Sequence, residues 1–314
     1  MAYKDTSYAL SFPVPWGTIA AKSWGRGEKK FLGLHGWLDN VETFSSLAPL
    51  LEKEVTLVAF DFPGHGMSSR RPAGTAYTFL DWVLDVRKVV VQLGWVKFSM
   101  IGHSMGASVA ALYAGTFPSE VIDLILIEYR GPSVAGENLA REVLRECADD
   151  LSRIHYKQKL QPRQQVAKFH QLVQRLMNKN PDITKESAER LMSRSGIPEQ
   201  DGYRLDIDQR LKPAKNRDVR GNFMILSQEM INSILTGICC SVLVVRGNDC
   251  HPMFRIQDDY IRARLDVIKQ HASEYFHHEV PGNHFVHLNE PEVVARVIRE
   301  YLDRRASRSI SCKL

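Results

Sequence analysis

One serine in this chain lies in a setting that would expose its hydroxyl group for chemistry. Ser104 is the centre of the pentapeptide 102–106, Gly-His-Ser-Met-Gly, which follows an apolar run at 98–101 and precedes a small-residue helical stretch at 107–114. The order strand, Gly-x-Ser-x-Gly, helix is typical of a sharp turn that projects the serine above the end of a sheet. Glycine is needed at both flanking positions because a Cβ there would crowd the neighbouring strand or helix. The pattern predicts Ser104 as a nucleophile, and an ordinary strand-to-helix turn is the alternative.

A serine hydroxyl is a weak nucleophile at neutral pH, so it needs a base within hydrogen-bond reach and a third group that orients the base. His284 is the predicted base, because its Pro-Gly-Asn-His segment leaves the last predicted strand. His287 follows at the start of the final helix, but no zinc-binding glutamate motif accompanies the pair, so we predict no metal site. His35 and His65 are expected to support the loops around the site.

Two carboxylates compete for the role of the orienting acid. Asp249 leaves the strand that begins near residue 242, and Glu128 leaves the strand at 121–127. Both keep the chain order serine, acid, histidine, so order does not choose between them. We favour Asp249, and Glu128 is the alternative acid; Glu128 could instead pair with the nearby Arg130.

The loop after the third strand is the predicted source of an oxyanion hole. Backbone N–H groups fixed at this place stabilise the negative charge of a tetrahedral intermediate. One donor is expected from the residue after the nucleophile, Met105, and the other from the loop that begins His35-Gly36-Trp37. We predict the Trp37 N–H as the second donor; a plain strand-end turn with a wall tryptophan is the alternative.

The elements that would position these residues alternate between strand and helix. An antiparallel pair is predicted at 9–24, and further strands are predicted at 31–34, 55–60, 98–102, 121–127, 242–245 and 275–280. Helices are predicted at 81–93, 253–271 and 291–304. Continuous apolar strands separated by helices indicate a mostly parallel sheet that is covered on both faces.

The pattern changes in the middle of the chain. From 131 to 236 we find helical periodicity and no convincing strand, with breaks at prolines and glycines. The sequence therefore predicts a core formed by residues 1–130 and 237–314, with residues 131–236 inserted as a helical cap over the carboxyl ends of the strands.

Composition describes an ordinary soluble globule. Hydrophobic residues make up 44% and charged residues 25% of the 314 positions, and the net charge of +5 forms no block, so neither a nucleic-acid partner nor a membrane surface is predicted. No apolar run is long enough to span a membrane, and the start lacks the pattern of a secretory signal. Five cysteines without metal-ligand spacing suit a reducing compartment.

The last three residues, Cys312-Lys313-Leu314, match the small-basic-leucine class of peroxisomal signals, of which Ser-Lys-Leu is the type. They predict a peroxisomal import receptor as a partner, and the alternative location is the cytoplasm. We do not expect the protein to be secreted.

The chain resembles the α/β-hydrolase superfamily, and within it the serine hydrolase-like (Kraken-related) branch. Five segments carry the resemblance, at 14–22, 35–40, 60–69, 101–106 and 280–291. The resemblance implies a capped eight-stranded α/β-hydrolase fold with Ser104 as nucleophile and His284 as base. The chain departs from the superfamily's Gly-x-x-Asp pattern, because Cys250 occupies the Asp place and Asp249 falls one residue early.

These residues predict hydrolysis of an ester or related acyl bond of a small molecule through a serine acyl-enzyme, with no metal or organic cofactor. Haloalkane dehalogenases and epoxide hydrolases resemble this fold but attack with an aspartate, which Ser104 cannot replace. Action on a thioester or carbon–carbon bond is a further alternative. A different class also stays open, because a fold does not dictate function: a weakened hydrolase shape reused for ligand binding or protein interaction.

Overall fold

The computed structural model describes residues 7–132, 140–158, 166–211, 226–252 and 258–311. Residues Cys312–Leu314, and with them the predicted import signal, lie outside the described residues. An eight-stranded sheet forms the centre of the molecule. Its strands along the chain are β1 (Tyr8–Val14), β2 (Gly17–Trp24), β3 (Lys29–Leu34), β4 (Val55–Phe60), β5 (Phe98–His103), β6 (Val121–Ile127), β9 (Ser241–Gly247) and β10 (Glu274–Val280).

The spatial order of the strands is β1-β2-β4-β3-β5-β6-β9-β10. β2 pairs antiparallel with both β1 and β4, and the strands from β4 to β10 run parallel. The predicted mostly parallel sheet is thus confirmed, and the strands predicted at 55–60 and 121–127 agree to the residue.

Helices cover both faces of the sheet, as the continuous apolar strands predict. The described helices are α1 (Ala48–Leu51), α2 (Phe79–Leu93), α3 (Met105–Thr116), α4 (Ala140–Gln158), α5 (Phe169–Lys179), α6 (Lys185–Ser195), α7 (Gln228–Leu235), α8 (Asp258–His271), α9 (Val286–Asn289) and α10 (Pro291–Ser311). One hydrophobic cluster joins α2, α3, α7 and α8 to the sheet, and a second joins α1 and α10 to the opposite face. The strand ends therefore form a rigid edge on which a site can be built.

The segment between β6 and β9 contains α4, α5 and α6, but it is not all helical. A hairpin follows α6, in which β7 (Gly196–Glu199) pairs antiparallel with β8 (Gly202–Leu205). The expectation of a cap without strands is wrong here, because four-residue strands are too short to show an alternating pattern. Pro198 marks a helix break in the sequence, and in the structure it lies in a two-stranded edge where its missing N–H is tolerated.

The last helix of this segment, α7, packs on the core. Ile231 and Leu235 of α7 are fully buried in the same hydrophobic cluster as α3. The fit is close enough that a Cβ on Gly115 of α3 would lie 2.2 Å from the Ile234 carbonyl oxygen. Although the sequence places this helix within the cap range 131–236, it belongs with the core layer.

Candidate active site

Ser104 lies on the turn that joins β5 to α3. Its backbone has φ 52° and ψ −113°, a conformation that a residue with a side chain rarely adopts. The two flanking glycines make the turn possible. A Cβ on Gly102 would lie 2.5 Å from the Ala107 nitrogen, and a Cβ on Gly106 would lie 2.0 Å from the Leu34 carbonyl oxygen. The steric need for glycine that the sequence predicts is thus present at both positions.

His284 lies in the loop between β10 and α9, and its ring faces the serine. The distance from His284 Nε2 to Ser104 Oγ is 3.2 Å. On its other side, His284 Nδ1 lies 3.1 Å from Glu128 Oε2. Because Nδ1–H donates to a carboxylate, the neutral ring leaves Nε2 as an acceptor for the serine hydroxyl proton.

Glu128, and not Asp249, is the carboxylate that the structure brings to His284. Glu128 directly follows β6, which lies between β5 and β9, so its side chain reaches the histidine beside the serine turn. Its other oxygen, Oε1, accepts a hydrogen bond from the Gly247 N–H at 2.6 Å. Asp249 is exposed to solvent, and its backbone N–H donates to the Gly282 carbonyl. The preference for Asp249 therefore disagrees with the geometry, because the turn after β9 directs the next residue, Cys250, inward instead.

Cys250 occupies the place of the superfamily's aspartate and contacts the carboxylate that replaces it. Its Sγ lies 3.5 Å from Glu128 Oε2 and 3.5 Å from the Gly247 carbonyl oxygen. Burial, together with the neighbouring negative charge of Glu128, raises the pKa of the Cys250 thiol to about 12. The group therefore stays protonated as a weak donor to the carboxylate. The departure from Gly-x-x-Asp was the one sequence signal that the acid lies elsewhere.

The surroundings of His284 and Glu128 favour a neutral histidine and an ionised glutamate. Burial lowers the pKa of His284 below its usual value, and the hydrogen bond with Glu128 only partly offsets this effect. Burial alone would raise the pKa of Glu128, but hydrogen bonds from His284 and the Gly247 N–H outweigh it and hold that pKa below its usual value. At neutral pH the site therefore contains a carboxylate and an unprotonated imidazole.

The loop after β3 lies directly against the serine turn. A Cβ on Gly36 would lie 2.8 Å from His103 Nδ1, so only glycine permits this approach. Trp37 follows it, half-buried, and Met105 is the first residue of α3. The structure thus places the loop of Trp37 next to the turn that Met105 leaves, and the two residues stay the predicted donors of an oxyanion hole.

Buried histidines join the loops around His284 and Glu128. His35 donates through Nδ1 to the Gly36 carbonyl at 2.7 Å and accepts from the Phe62 N–H at 2.9 Å, and it thereby joins the loops after β3 and β4. His65 packs edge-on against His35. These contacts agree with the supporting role expected for both residues. His287 is in the short helix α9, ahead of the final helix, and its Nε2 lies 2.7 Å from Thr43 Oγ1.

Sequence reasoning missed two residues that touch the histidine loop. His103, inside the pentapeptide, donates from Nε2 to the His284 carbonyl at 2.9 Å. The Asp182 carboxylate, in the cap, accepts from the His284 N–H at 3.3 Å. The position of His103 beside the nucleophile was an available signal, whereas Asp182 is 102 residues from its partner and has no local pattern around it.

The described residues provide neither a metal cluster nor a membrane span. They contain no group of three or more His, Cys, Asp or Glu side chains arranged to hold a metal ion. Within the same ranges, no helix has the length and apolar character needed to cross a membrane.

Comparison with known proteins gives consistent matches over most of the chain. A family model described as the alpha/beta hydrolase fold matches residues 31–291. Human serine hydrolase-like protein 2 is 35% identical over 303 residues, which cover 93% of each chain. A probable serine hydrolase of Drosophila melanogaster is 31% identical over 305 residues, covering 95% of this chain and 88% of the fly protein. The solved structure of a hypothetical protein from Pseudomonas aeruginosa superposes with a TM-score of 0.81 at 31% identity, covering 94% of this chain and 99% of that one.

Proposed function

Because the chain belongs to the alpha/beta hydrolase family, we propose that it is a serine hydrolase that cleaves an ester or related acyl bond with Ser104, His284 and Glu128 as its triad. The observation that supports this most is the continuous chain of contacts from Ser104 Oγ through the His284 ring to Glu128 Oε2, at 3.2 and 3.1 Å. A nucleophile, a base and an orienting acid need this order of contacts.

The first half of the proposed reaction acylates the serine. Ser104 Oγ attacks the carbonyl carbon while His284 Nε2 takes the hydroxyl proton, and the carbonyl oxygen becomes an oxyanion. Backbone N–H groups of Trp37 and Met105 would hold that oxyanion. As the intermediate collapses, the imidazolium returns its proton to the leaving alcohol, and the acyl group remains on Ser104.

Water then releases the acyl group by the same route. His284 takes a proton from the attacking water, the ester bond to Ser104 breaks, and the proton returns to Oγ. The Glu128 carboxylate fixes the tautomer of His284 and stabilises the imidazolium in both halves. The lowered pKa of His284 supports this role, because the ring is an unprotonated base at neutral pH.

The test is covalent labelling with a fluorophosphonate probe, together with turnover of p-nitrophenyl esters. We expect the wild-type protein to be labelled on Ser104 and Ser104→Ala to lose both labelling and turnover, since only an activated serine reacts. Ser119→Ala is the matched control because Ser119 is exposed and lies outside the site. Labelling that persists in Ser104→Ala would refute the assignment of the nucleophile.

One observation keeps a second candidate function in view. Cys250 takes the place of the superfamily's aspartate, and an impaired triad on this fold would suit a ligand-binding or interaction protein. A wild-type protein that is folded but inert to the probe would favour that function. A panel of oxygen esters and thioesters then separates the acyl classes of an active enzyme.

A further inference from the structure

Asp182 in the cap bonds to two loops of the core. It lies between α5 and α6, and its carboxylate Oδ2 accepts hydrogen bonds from the His284 N–H at 3.3 Å and from the His251 N–H at 3.1 Å. Its backbone carbonyl accepts two more, from the side-chain amides of Asn283 and Asn289, both at 2.8 Å. Four hydrogen bonds therefore join one cap residue to the core.

The two loops that Asp182 reaches are those that flank the pair of base and acid. One carries His284 itself. The other carries His251 directly after Cys250, whose thiol contacts Glu128. The Asp182 carboxylate thus links the loop that carries His284 to the loop that contacts Glu128.

Hydrophobic packing and a further hydrogen bond also join the His284 loop to the cap. Phe285 and Leu288, which follow His284, are buried in one hydrophobic cluster with Leu191 and Met192 of the cap. Thr184, at the start of α6, also bonds through its hydroxyl to Asn289 Oδ1 at 3.2 Å. The histidine loop therefore packs on the cap through Phe285 and Leu288, and on the core through Val286.

We propose that Asp182 is a positioning residue, through which the cap holds the backbone of His284 so that its ring stays in line between Ser104 and Glu128. This inference rests on the proposed function for its effect on catalysis. An ionised acceptor makes a stronger hydrogen bond to an N–H group than a neutral one does. His284 itself is almost fully buried, so water does not readily replace the carboxylate at its N–H.

The experiment compares Asp182→Ala, Asp182→Asn and the control Asp201→Ala, which removes an exposed carboxylate at the turn of the cap hairpin. We expect Asp182→Ala to lower kcat for a p-nitrophenyl ester by roughly 5- to 20-fold, with KM nearly unchanged, because the base is misplaced and the binding surface is not. Asp182→Asn keeps an oxygen acceptor and should recover most of kcat, while Asp201→Ala should match the wild type.

Hydrogen exchange separates failure of this inference from failure of the proposed function. In Asp182→Ala, the amide of His284 should exchange at least several-fold faster than in Asp201→Ala, whether or not the protein turns over an ester. A wild type that no fluorophosphonate labels would refute the proposed function, and the exchange rates would still decide the role of Asp182 in fixing the loop. Equal exchange and equal kcat in the two alanine variants would overturn the inference, and so would equal exchange alone if the protein is inert.

Discussion

At the scale of single residues, the site depends on which carboxylate reaches the histidine. The carboxyl ends of β6 and β9 are neighbours in the sheet, so a side chain from either strand can approach His284. Chain order allows both, and only the direction of each side chain decides. The structure turns Glu128 and Cys250 inward and leaves Asp249 in solvent.

Amide replacement should lower kcat steeply at Glu128 and leave it nearly unchanged at Asp249. Glu128→Gln removes the charge that stabilises the imidazolium, and we expect kcat to fall by about 10³- to 10⁴-fold with the fold intact. Asp249→Asn should stay within about twofold of the wild type, because its side chain is exposed. Steady-state kinetics on a p-nitrophenyl ester, with circular dichroism as the check on folding, measure both. The reverse ranking would return the acid role to Asp249.

The pH dependence of Glu128→Gln tests the contact between Glu128 and His284 independently of the size of the kcat loss. We expect the acid limb of kcat/KM for the wild type to lie below pH 6.5, because burial lowers the pKa of His284. The hydrogen bond with Glu128 raises that pKa, so its removal should move the residual activity of Glu128→Gln to a still lower acid limb. A limb that moves to higher pH would contradict the contact between the two side chains.

At the scale of elements, the cap helix α6 bonds directly to the loop after β3, which carries Trp37. Asn40, at the end of that loop, donates from Nδ2 to the Leu191 carbonyl at 2.8 Å and to Ser195 Oγ at 2.9 Å. Arg194 of α6 pairs with the buried Asp61 at 2.7 Å, and Asp61 in turn accepts from the Val41 N–H at 2.8 Å. The loop of Trp37 is therefore attached to the sheet through β3, which precedes it, and to the cap through its hydrogen bonds with α6.

Two arginines of α6 allow a matched test of this contact. Arg194→Leu should lower the free energy of unfolding by about 3 kcal/mol, because it leaves a buried carboxylate without its charged partner. Arg190→Leu breaks a pair of similar length with Glu186, but that carboxylate is 74% exposed, so its loss should cost less than about 0.5 kcal/mol. Urea titration followed by circular dichroism compares the two variants. Equal losses would mean that the contact between Arg194 and Asp61 contributes no more than a surface pair.

The sequence predicts those elements whose signal is local. The predicted bounds of β4 and β6 agree with the structure to the residue, because a parallel strand that is buried on both faces is itself a continuous apolar run. The glycines beside Ser104 follow from sterics alone. The hairpin in the cap is local, but its four-residue strands are too short to show an alternating pattern. The inward turn of Cys250 and the contact of Asp182 with His284 depend instead on partners far along the chain, and no local pattern encodes them. The choice of acid belongs to that second group.

At the scale of the whole molecule, the site is set among buried histidines that are neutral in the folded protein. Burial lowers the pKa of His35 to about 4 and that of His65 to about 3, and it lowers the pKa of His284 and His287 as well. The unfolded chain binds protons at these groups near pH 6.5, and the folded protein does not. Their contribution to stability is therefore complete above pH 6.5 and is lost as the pH falls toward 4.

Thermal unfolding between pH 7 and pH 5 tests this linkage. The melting temperature should be level above pH 6.5 and fall below it, since each such histidine removes about 1.4 kcal/mol of stability per pH unit. His65→Gln should make the fall shallower, whatever its effect at pH 7. His170→Gln, which changes an exposed side chain of α5, should leave the slope as it is. An identical slope in all three proteins would contradict a neutral, buried His65.

Along the chain, the join between β6 and β9 separates the proposed nucleophile and acid from the proposed base. These strands pair side by side, yet the whole cap lies between them in the chain, and closing so long a loop costs entropy before any contact is gained. Ser104 and Glu128 precede the join and His284 follows it. In a chain still emerging from the ribosome, the serine and the carboxylate are present before the base has been synthesised. Under the proposed function, the Ser104 hydroxyl is therefore activated only after β9 and β10 have been synthesised and have docked.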